Sequence, residues 1–165
     1  MNIKYPLEQV LTIKKDRVQR AEKVVKEKQK IVNTEEERLK KVESERDIVG
    51  DHYKAKISQL RNALDEGTTG EEVLKMKAYI KVVKENLEEE EKKVLKQKEI
   101  LLSAKRELQK AQVEYKRRRI EVEKTELHKK QWMKEALLAE ERQEAKDQDE
   151  MGQLLFQIRK SKPMN

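Results

Sequence analysis

The sequence predicts an all-α protein, a long antiparallel two-helix coiled-coil hairpin with a C-terminal single-helix overhang. Three observations support this. Of the 165 residues 44% are charged, 35% are hydrophobic and 4% are aromatic, which is too little apolar material for a thick globular core. Apolar residues recur at every seventh position through two long stretches, with Arg46 as the one exception, as in coiled coils. One convincing break, at residues 65–72, separates the stretches.

The seven-residue repeat argues against disorder, which shares the high charge and low aromatic content of this chain. A disordered chain has no reason to keep phase over eight repeats. A period of seven, and not eleven, indicates a left-handed supercoil. The first stripe consists of Leu11, Val18, Val25, Val32, Leu39, Arg46, Tyr53 and Leu60, and the second of Val73, Ile80, Leu87, Val94, Leu101, Leu108, Tyr115 and Val122.

The break contains the residues of a tight turn between two helices. Gly67 suits the left-handed position just past a helix end, and Thr69 with Glu72 forms a T-x-x-E capping box for the next helix. We therefore expect one hairpin domain over residues 1–165. Its predicted parts are helix one at about 6–65, a turn at 66–70, and helix two at about 71–159.

Two prolines are consistent with these helix bounds. Pro6 lies where a proline is tolerated in a first helical turn, and Pro163 lies beyond the end of the second helix. Gly50 lies inside the first helix, where glycine costs about 1 kcal/mol relative to alanine. Gly50 is therefore the candidate position for a bend.

The hairpin geometry also predicts a register. If the turn is centred on residue 68, facing residues have numbers that sum to 136, which pairs Val49 with Leu87 and Val42 with Val94. The same sum places Arg46 opposite Glu90. We interpret these two residues as a register-setting ion pair, because such a pair adds little stability but penalises slipped registers.

The second helix is predicted to outlast the first. Trp132 falls opposite Lys4 in this register, so an overhang of about 25 to 30 residues, some 40 Å long, begins at about residue 133 on a hairpin about 90 Å long. Nothing in the hairpin can cover its apolar residues. They are Met151, Leu154, Leu155, Phe156 and Ile158.

The net charge of +7 is concentrated at the open end of the hairpin, residues 1–30 and 106–135, with a maximum at residues 116–119. A basic stem could bind nucleic acid through phosphates, but glutamates interrupt it and aromatic platforms are absent. An ordinary solvated helix face is another interpretation. The third interpretation is an acidic protein partner. It is favoured by a further seven-residue stripe on the face away from the core, the Val113 stripe, which consists of Val113, Ile120 and Leu127.

Catalytic and metal-binding signatures are missing from the sequence. It has no cysteine and neither glycine-rich phosphate-binding motif, and its longest apolar runs are too short for a membrane span. His52 and His128 are isolated, which favours structural or surface roles over metal ligation. We expect a non-enzymatic protein without cofactor or metal, because two helices enclose no pocket.

Residues 5–15, YPLEQVLTIKK, resemble the opening of the YscO/FliJ family of type III secretion and flagellar export. Members commonly begin with an aromatic residue, which is often followed by proline. Leucine, two polar residues, an apolar pair and a basic segment leading into a long helix come next. The chain length, the two unequal helices, the basic balance and the missing cysteine are also similar to that family.

The resemblance implies a cytoplasmic, non-catalytic adaptor at the base of a secretion apparatus, similar to the central stalk of rotary ATPases. The open end would enter the ring of the hexameric secretion ATPase and promote its assembly or couple its cycle. The turn end would point toward the export gate, and chaperones of exported substrates are further implied partners. We expect a monomer in isolation, with neither nucleic-acid binding nor membrane insertion.

The resemblance and the predicted register together suggest which residues meet these partners. Candidates at the ATPase end are Tyr5, Pro6, Leu7, Leu11, Lys116, Arg117, Arg118, Arg119, Trp132, Leu154, Leu155, Phe156 and Ile158. Candidates at the export-gate end are Tyr53, Ile57 and Tyr79. The alternative functions are a structural coiled coil that self-associates through the Val113 stripe and the overhang, and a nucleic-acid-binding coiled coil.

Overall fold

Two long helices make up the protein in the computed structural model, which describes residues 3–161. Helix α1 spans Glu8–Glu66 and helix α2 spans Gly70–Ser161, and the described residues contain no strand. The all-α class is therefore confirmed, and each predicted helix end lies within about two residues of the observed one. Pro163 lies outside the described residues.

Helix α1 begins slightly later than predicted because Pro6 belongs to the turn that precedes the helix. The Glu8 amide donates to the Tyr5 carbonyl at 3.2 Å, and the Leu11 amide donates to the Leu7 carbonyl at 3.0 Å. Proline has no amide hydrogen, so it loses nothing at this position. Glu8 then places a negative charge at the positive end of the helix dipole.

The turn has the predicted chemistry. Gly67 has a φ of 82°, a left-handed conformation that glycine adopts without strain, and the Thr68 amide donates to the Ala63 carbonyl at 3.2 Å. The Glu72 amide donates to the Thr69 hydroxyl at 3.4 Å, as a capping box requires. The Thr68 hydroxyl hydrogen-bonds the Glu72 carboxylate and thereby lowers its pKa. The predicted capping box is confirmed.

The contacts divide the chain into two compact units. The turn unit is Ala21–Glu114, and the terminal unit consists of the described residues up to Arg20 together with those from Tyr115 onward. Each unit pairs a piece of α1 with a piece of α2. The single domain expected for residues 1–165 remains a prediction.

The seam of the turn unit is built from the predicted heptad stripes. Every stripe residue in this unit is buried or half-buried, and the best buried apolar residues are Val32, Val83, Val94 and Leu101. Glutamates also reach the seam: Glu35 is buried, and its carboxylate accepts hydrogen bonds from Arg38 at 2.7 Å and from Gln97 at 2.5 Å. The buried charge is therefore satisfied by two partners.

Ion pairs between the helices agree with the predicted register. In the turn unit Lys105 lies 3.0 Å from Glu36, and Lys98 lies 3.7 Å from Glu43. Each pair has residue numbers that sum to 141, while His52 and Tyr79, hydrogen-bonded at 3.1 Å, sum to 131. These sums lie on either side of the predicted 136.

The predicted ion pair between Arg46 and Glu90 is not formed. Arg46 instead pairs with its neighbour Asp47 at 2.8 Å, and Glu90 pairs with Lys93 at 2.7 Å. The hydrogen bond and charge of Glu90 raise the pKa of Lys93. Each of the two side chains has an opposite charge within reach on its own helix, and these local pairs leave Glu90 Oε2 buried without a hydrogen-bond partner.

Gly50 offers a test of seam packing in the turn unit. A methyl group added at Gly50 would meet Leu87 Cδ1 at 3.7 Å, an ordinary van der Waals contact. We expect Gly50→Ala to raise the free energy of unfolding by about 0.5–1 kcal/mol, because alanine restricts the unfolded chain. Urea denaturation followed by circular dichroism measures this.

Gly67→Ala is the matched control, because its positive φ strains any other residue. We expect this variant to be less stable than the parent. A Gly50→Ala variant that is also less stable would contradict the packing described here.

Candidate partner-binding sites

An aromatic anchor fastens the start of the chain to α2 in the terminal unit. Tyr5 is 5% exposed, its hydroxyl forms a 2.6 Å hydrogen bond with His128 Nδ1, and its ring meets Trp132 edge-on with centroids 5.5 Å apart. Edge-on aromatic pairs add to the gain from burial alone. Tyr5 and Trp132, both predicted as partner-binding residues, are thus brought together in a structural contact.

Polar contacts extend this anchor along both helices. Glu8 lies 2.6 Å from Lys129, and Lys15 lies 2.8 Å from Glu126. The hydrogen bond and charge of Lys15 lower the pKa of Glu126. These pairs fix the antiparallel pairing of the terminal unit, with residue-number sums of 137 and 141.

The buried layer next to these pairs is polar. The Lys14 ammonium donates to the hydroxyl of buried Thr125 at 2.8 Å, and that hydroxyl donates to the Glu121 carbonyl at 2.8 Å. Each polar group is therefore satisfied. Nothing in the residue types pointed to Thr125, which is a single threonine among charged neighbours.

The remaining residues predicted near the chain start divide by exposure. Leu11 is among the best buried residues of the protein, so it belongs to the seam, whereas Pro6 and Leu7 are exposed. His128, which the sequence left isolated, completes the anchor. Only the register, which places residue 128 near residue 8, could have indicated this.

An open groove in the terminal unit was not anticipated from the sequence. It has a volume of about 680 Å³, with Leu11, Met133, Leu137 and Leu138 forming its apolar part. Lysines surround it, among them Lys130 and Lys134. The signal was present in the sequence, because residues 130, 134, 137 and 138 lie on one face of a helix.

The basic run at residues 116–119 is partly neutralised by carboxylates of the same helix. Arg117 and Arg118 lie 3.6 and 3.4 Å from Glu121, and Arg119 lies 3.5 Å from Glu123. Exposed pairs of this kind contribute little stability. Arg119 also lies 5.9 Å from the centroid of the Tyr115 ring. Apart from Arg118, which is half-buried, the run is therefore a solvated face that a partner could still use.

The end of α2 carries the predicted exposed apolar residues. All residues from 141 to 161 are exposed. The group comprises Met151, Leu154, Leu155, Phe156 and Ile158, each more than half exposed. The Val113 stripe is exposed as well, as expected for a face turned away from the core; it consists of Val113, Ile120 and Leu127.

The candidates for the export-gate end differ in accessibility. Tyr79 is about half exposed, its hydroxyl is 3.1 Å from His52 Nε2, and the Lys56 ammonium lies 5.4 Å from its ring centroid. Tyr53 and Ile57 are half-buried on the seam side of α1. Of the three, Tyr79 offers the largest surface to a partner.

The described residues contain no group of three or more histidine, cysteine or acidic side chains arranged to hold a metal ion. Neither helix, as far as the structure describes it, is long and apolar enough to cross a membrane.

A family model described as YscO-like protein matches residues 2–162 of the chain. The chain belongs to the YscO-like family. This YscO-like protein is therefore a type III secretion component, from a family that is in general non-enzymatic. The resemblance seen in residues 5–15 is confirmed over nearly the whole sequence.

Solved structures include similar proteins from chlamydiae. A Chlamydia trachomatis protein described as a YscO homologue, CT670, is 62% identical to this YscO-like protein, with 98% of this chain and 99% of that chain covered and a TM-score of 0.94. A chain in the structure of the Chlamydia pneumoniae CdsV and CdsO protein complex is 55% identical, with 51% and 98% covered and a TM-score of 0.49. The search of curated proteins found no match.

Proposed function

We propose that this YscO-like protein is a cytoplasmic, non-catalytic adaptor of type III secretion that binds the secretion ATPase. Its open end, in the terminal unit, would enter the ATPase ring and promote ring assembly or couple hydrolysis to the export gate. The observation that carries the proposal is the end of α2, where residues 141–161 form a fully exposed helix with a cluster of apolar side chains.

Exposed apolar side chains on a lone helix are costly unless a partner covers them. Phe156 is two-thirds exposed, and Leu154 and Ile158 are more than half exposed. A ring of subunits can surround a single helix on all sides. This geometry supports a pore as the binding site for the overhang.

Charge supports the same partner. The terminal unit carries the basic run at residues 116–119 and the groove lysines Lys130 and Lys134. A positive stem favours entry into an acid-lined pore, because long-range attraction raises the association rate. The effect would weaken as salt is added.

We assign export-gate contact to the turn unit, where Tyr79 is the accessible candidate among Tyr53, Ile57 and Tyr79. An aromatic ring with a neighbouring cation and exposed apolar neighbours is typical of an interface anchor. Ile48 and Val82 are the large exposed apolar residues of this unit nearest in sequence to His52 and Tyr79. Substrate chaperones are further proposed partners.

The test measures hexamer formation and hydrolysis by the purified cognate ATPase, with and without this protein. We expect the parent to promote both. Reversing residues 117–119 to glutamate should weaken binding by at least about tenfold at low salt, because three attractive charges become repulsive. Phe156→Ser should weaken binding through lost apolar contact.

Two controls make the result specific. The exposed turn-unit lysines Lys40, Lys41 and Lys54, reversed to glutamate, change the net charge by the same amount. Tyr79→Ala removes the gate candidate. Both should leave ATPase assembly unchanged. Absence of ATPase binding by the parent, or binding indifferent to the reversal of residues 117–119, would refute the adaptor model.

A further inference from the structure

One face of α2 in the terminal unit repeats with coiled-coil spacing and is exposed along its whole length. Steps of alternately three and four residues from Ile120 reach Ile158 without leaving this face, and every residue on it is exposed. We call it the outer face. Its members are Ile120, Glu123, Leu127, Lys130, Lys134, Leu137, Glu141, Glu144, Gln148, Met151, Leu155 and Ile158.

The outer face divides its charge between its halves. Its centre is Ala139, where basic residues Lys130 and Lys134 precede acidic residues Glu141 and Glu144. The acidic side is reinforced, because residues 140–150 contain six carboxylates and two basic side chains. Turned end for end, such a face places its basic half against its acidic half.

The positions on the face are symmetric about the same centre. Reversing the direction of the helix about residue 139 matches residue numbers that sum to 278. Ile120 then meets Ile158, Leu127 meets Met151, and Lys134 meets Glu144. Lys130 meets Gln148, and in the two remaining pairings a glutamate meets a leucine, Glu141 with Leu137 and Glu123 with Leu155. A face that matches itself under reversal is what a two-fold symmetric dimer needs.

We propose that the outer face is a docking surface for a second copy of this chain, with the two α2 helices antiparallel and the two-fold axis at Ala139. Each dimer has two Ile120 to Ile158 contacts, two Leu127 to Met151 contacts and two Lys134 to Glu144 ion pairs. The seam from residue 120 to residue 158 is about 57 Å long. In the equilibrium between monomer and dimer, the monomer that we expect in isolation is the form present at low protein concentration.

Other occupants fit the outer face less well. A lipid surface needs a broad apolar stripe, whereas here only half of the positions are apolar and two glutamates lie near the middle. Those glutamates repel nucleic acid in the same place. A uniformly acidic helix would suit Lys130 and Lys134 but not Glu141 and Glu144. A second copy supplies opposite charges to both Lys134 and Glu144 at once.

The pairing cannot form within one chain. Lys134 and Glu144 are ten residues apart on one continuous helix, which separates them by about 15 Å. Their coupling therefore reports on contact between copies. This inference does not depend on the proposed function, since it is tested on the protein alone, although the overhang would be shared with an ATPase ring.

The experiment is sedimentation equilibrium of the full chain over a range of concentrations. We expect the parent to dimerise, and Lys134→Glu and Glu144→Lys each to weaken the dimer at least about tenfold, because two ion pairs become two like-charge contacts. Mixing the two variants should restore a dimer, since each then supplies the charge that the other lacks. Circular dichroism checks that both stay helical.

Lys146→Glu, a reversal on the opposite side of α2, should leave the dimer unchanged. A purely monomeric parent would overturn the proposal. So would self-association that Lys134→Glu does not weaken, or single variants whose mixture stays monomeric, because the contact would then lie elsewhere. Anionic vesicles and RNA are tested in the same sedimentation experiment. Binding of the monomer to either one more tightly than to a second copy would also overturn the proposal.

The absence of cysteine permits a second measurement. A chain with Leu127→Cys and Met151→Cys should form disulfide-linked dimers on mild oxidation, because residue 127 meets residue 151 of the second copy. The two positions are about 36 Å apart within one helix, so they cannot link internally. Leu127→Cys with Lys146→Cys is the mismatched control, and equal cross-linking of both variants would refute the register.

Discussion

Tyr5→Ala will free the start of the chain from α2 in the terminal unit. The substitution removes a 95% buried ring, its 2.6 Å hydrogen bond to His128 and its edge-on contact with Trp132. Truncating a buried aromatic residue costs about 3 kcal/mol or more, because both the transfer gain and the packing are lost. Tyr5 is the one fully buried residue among residues 3–7, so we expect the segment to detach.

Trp132 reports this directly, because it is the only tryptophan. We expect its fluorescence emission to shift to longer wavelength as water reaches the ring. Hydrogen exchange should speed up for the first turn of α1 and stay unchanged in the turn unit. An unchanged emission spectrum would show that Tyr5 does not cover Trp132.

Tyr5→Phe distinguishes the contribution of the hydroxyl group from that of the ring. It keeps the contact with Trp132 and removes only the hydrogen bond to His128, so the expected loss is about 1 kcal/mol. We expect its fluorescence to stay close to that of the parent. A phenylalanine variant as disrupted as the alanine variant would mean that the hydrogen bond, and not the ring, holds the segment.

Val94→Asp will destabilise the turn unit more than any exposed substitution. Val94 is 3% exposed in the seam. A carboxylate buried without a partner costs about 3 kcal/mol or more, and the lost apolar contact adds to that. We expect a large fall in the urea midpoint, measured by circular dichroism, and a stability that partly recovers at low pH, where the carboxyl is neutral.

Leu95→Asp is the matched control, because the adjacent residue is 62% exposed. The same side chain one position along the helix stays in water, and its expected effect is within about 0.5 kcal/mol. Equal losses for the two variants would mean that Val94 does not face α1. The seven-residue stripe would then be assigned to the wrong face.

The heptad pattern was enough to predict the seam. A side chain every seven residues returns to nearly the same face of a helix, so Leu11, Val32 and Val94 had to share a side with their stripe neighbours. The turn was predictable for a local reason, because only a left-handed glycine and a capping threonine suit that backbone. The register followed from counting outward from residue 68.

Side-chain pairing across the seam was less predictable. Arg46 and Glu90 were predicted to pair with each other, but each pairs with a residue of its own helix, Asp47 and Lys93. Register fixes which backbones face each other, and long side chains then choose among several charges within reach. Tyr5 and His128, 123 positions apart, show the same limit.

The groove beside Leu137 and Leu138 was missed for another reason. The sequence shows two leucines in a charged segment, and only the arrangement of Leu11 and Met133 around them makes a concave surface. Concavity depends on where α1 begins relative to α2. A shift of a few residues would remove it without altering the heptad pattern.

The tight turn at Gly67 also sets the order in which the chain can fold. The Thr68 amide bonds a carbonyl only five residues away, whereas Tyr5 and His128 must close a loop of more than a hundred residues. Closing the larger loop first would cost more chain entropy. Pairing that starts at the turn shortens each later closure, so the contact between Tyr5 and His128 should be among the last to form and the first to open.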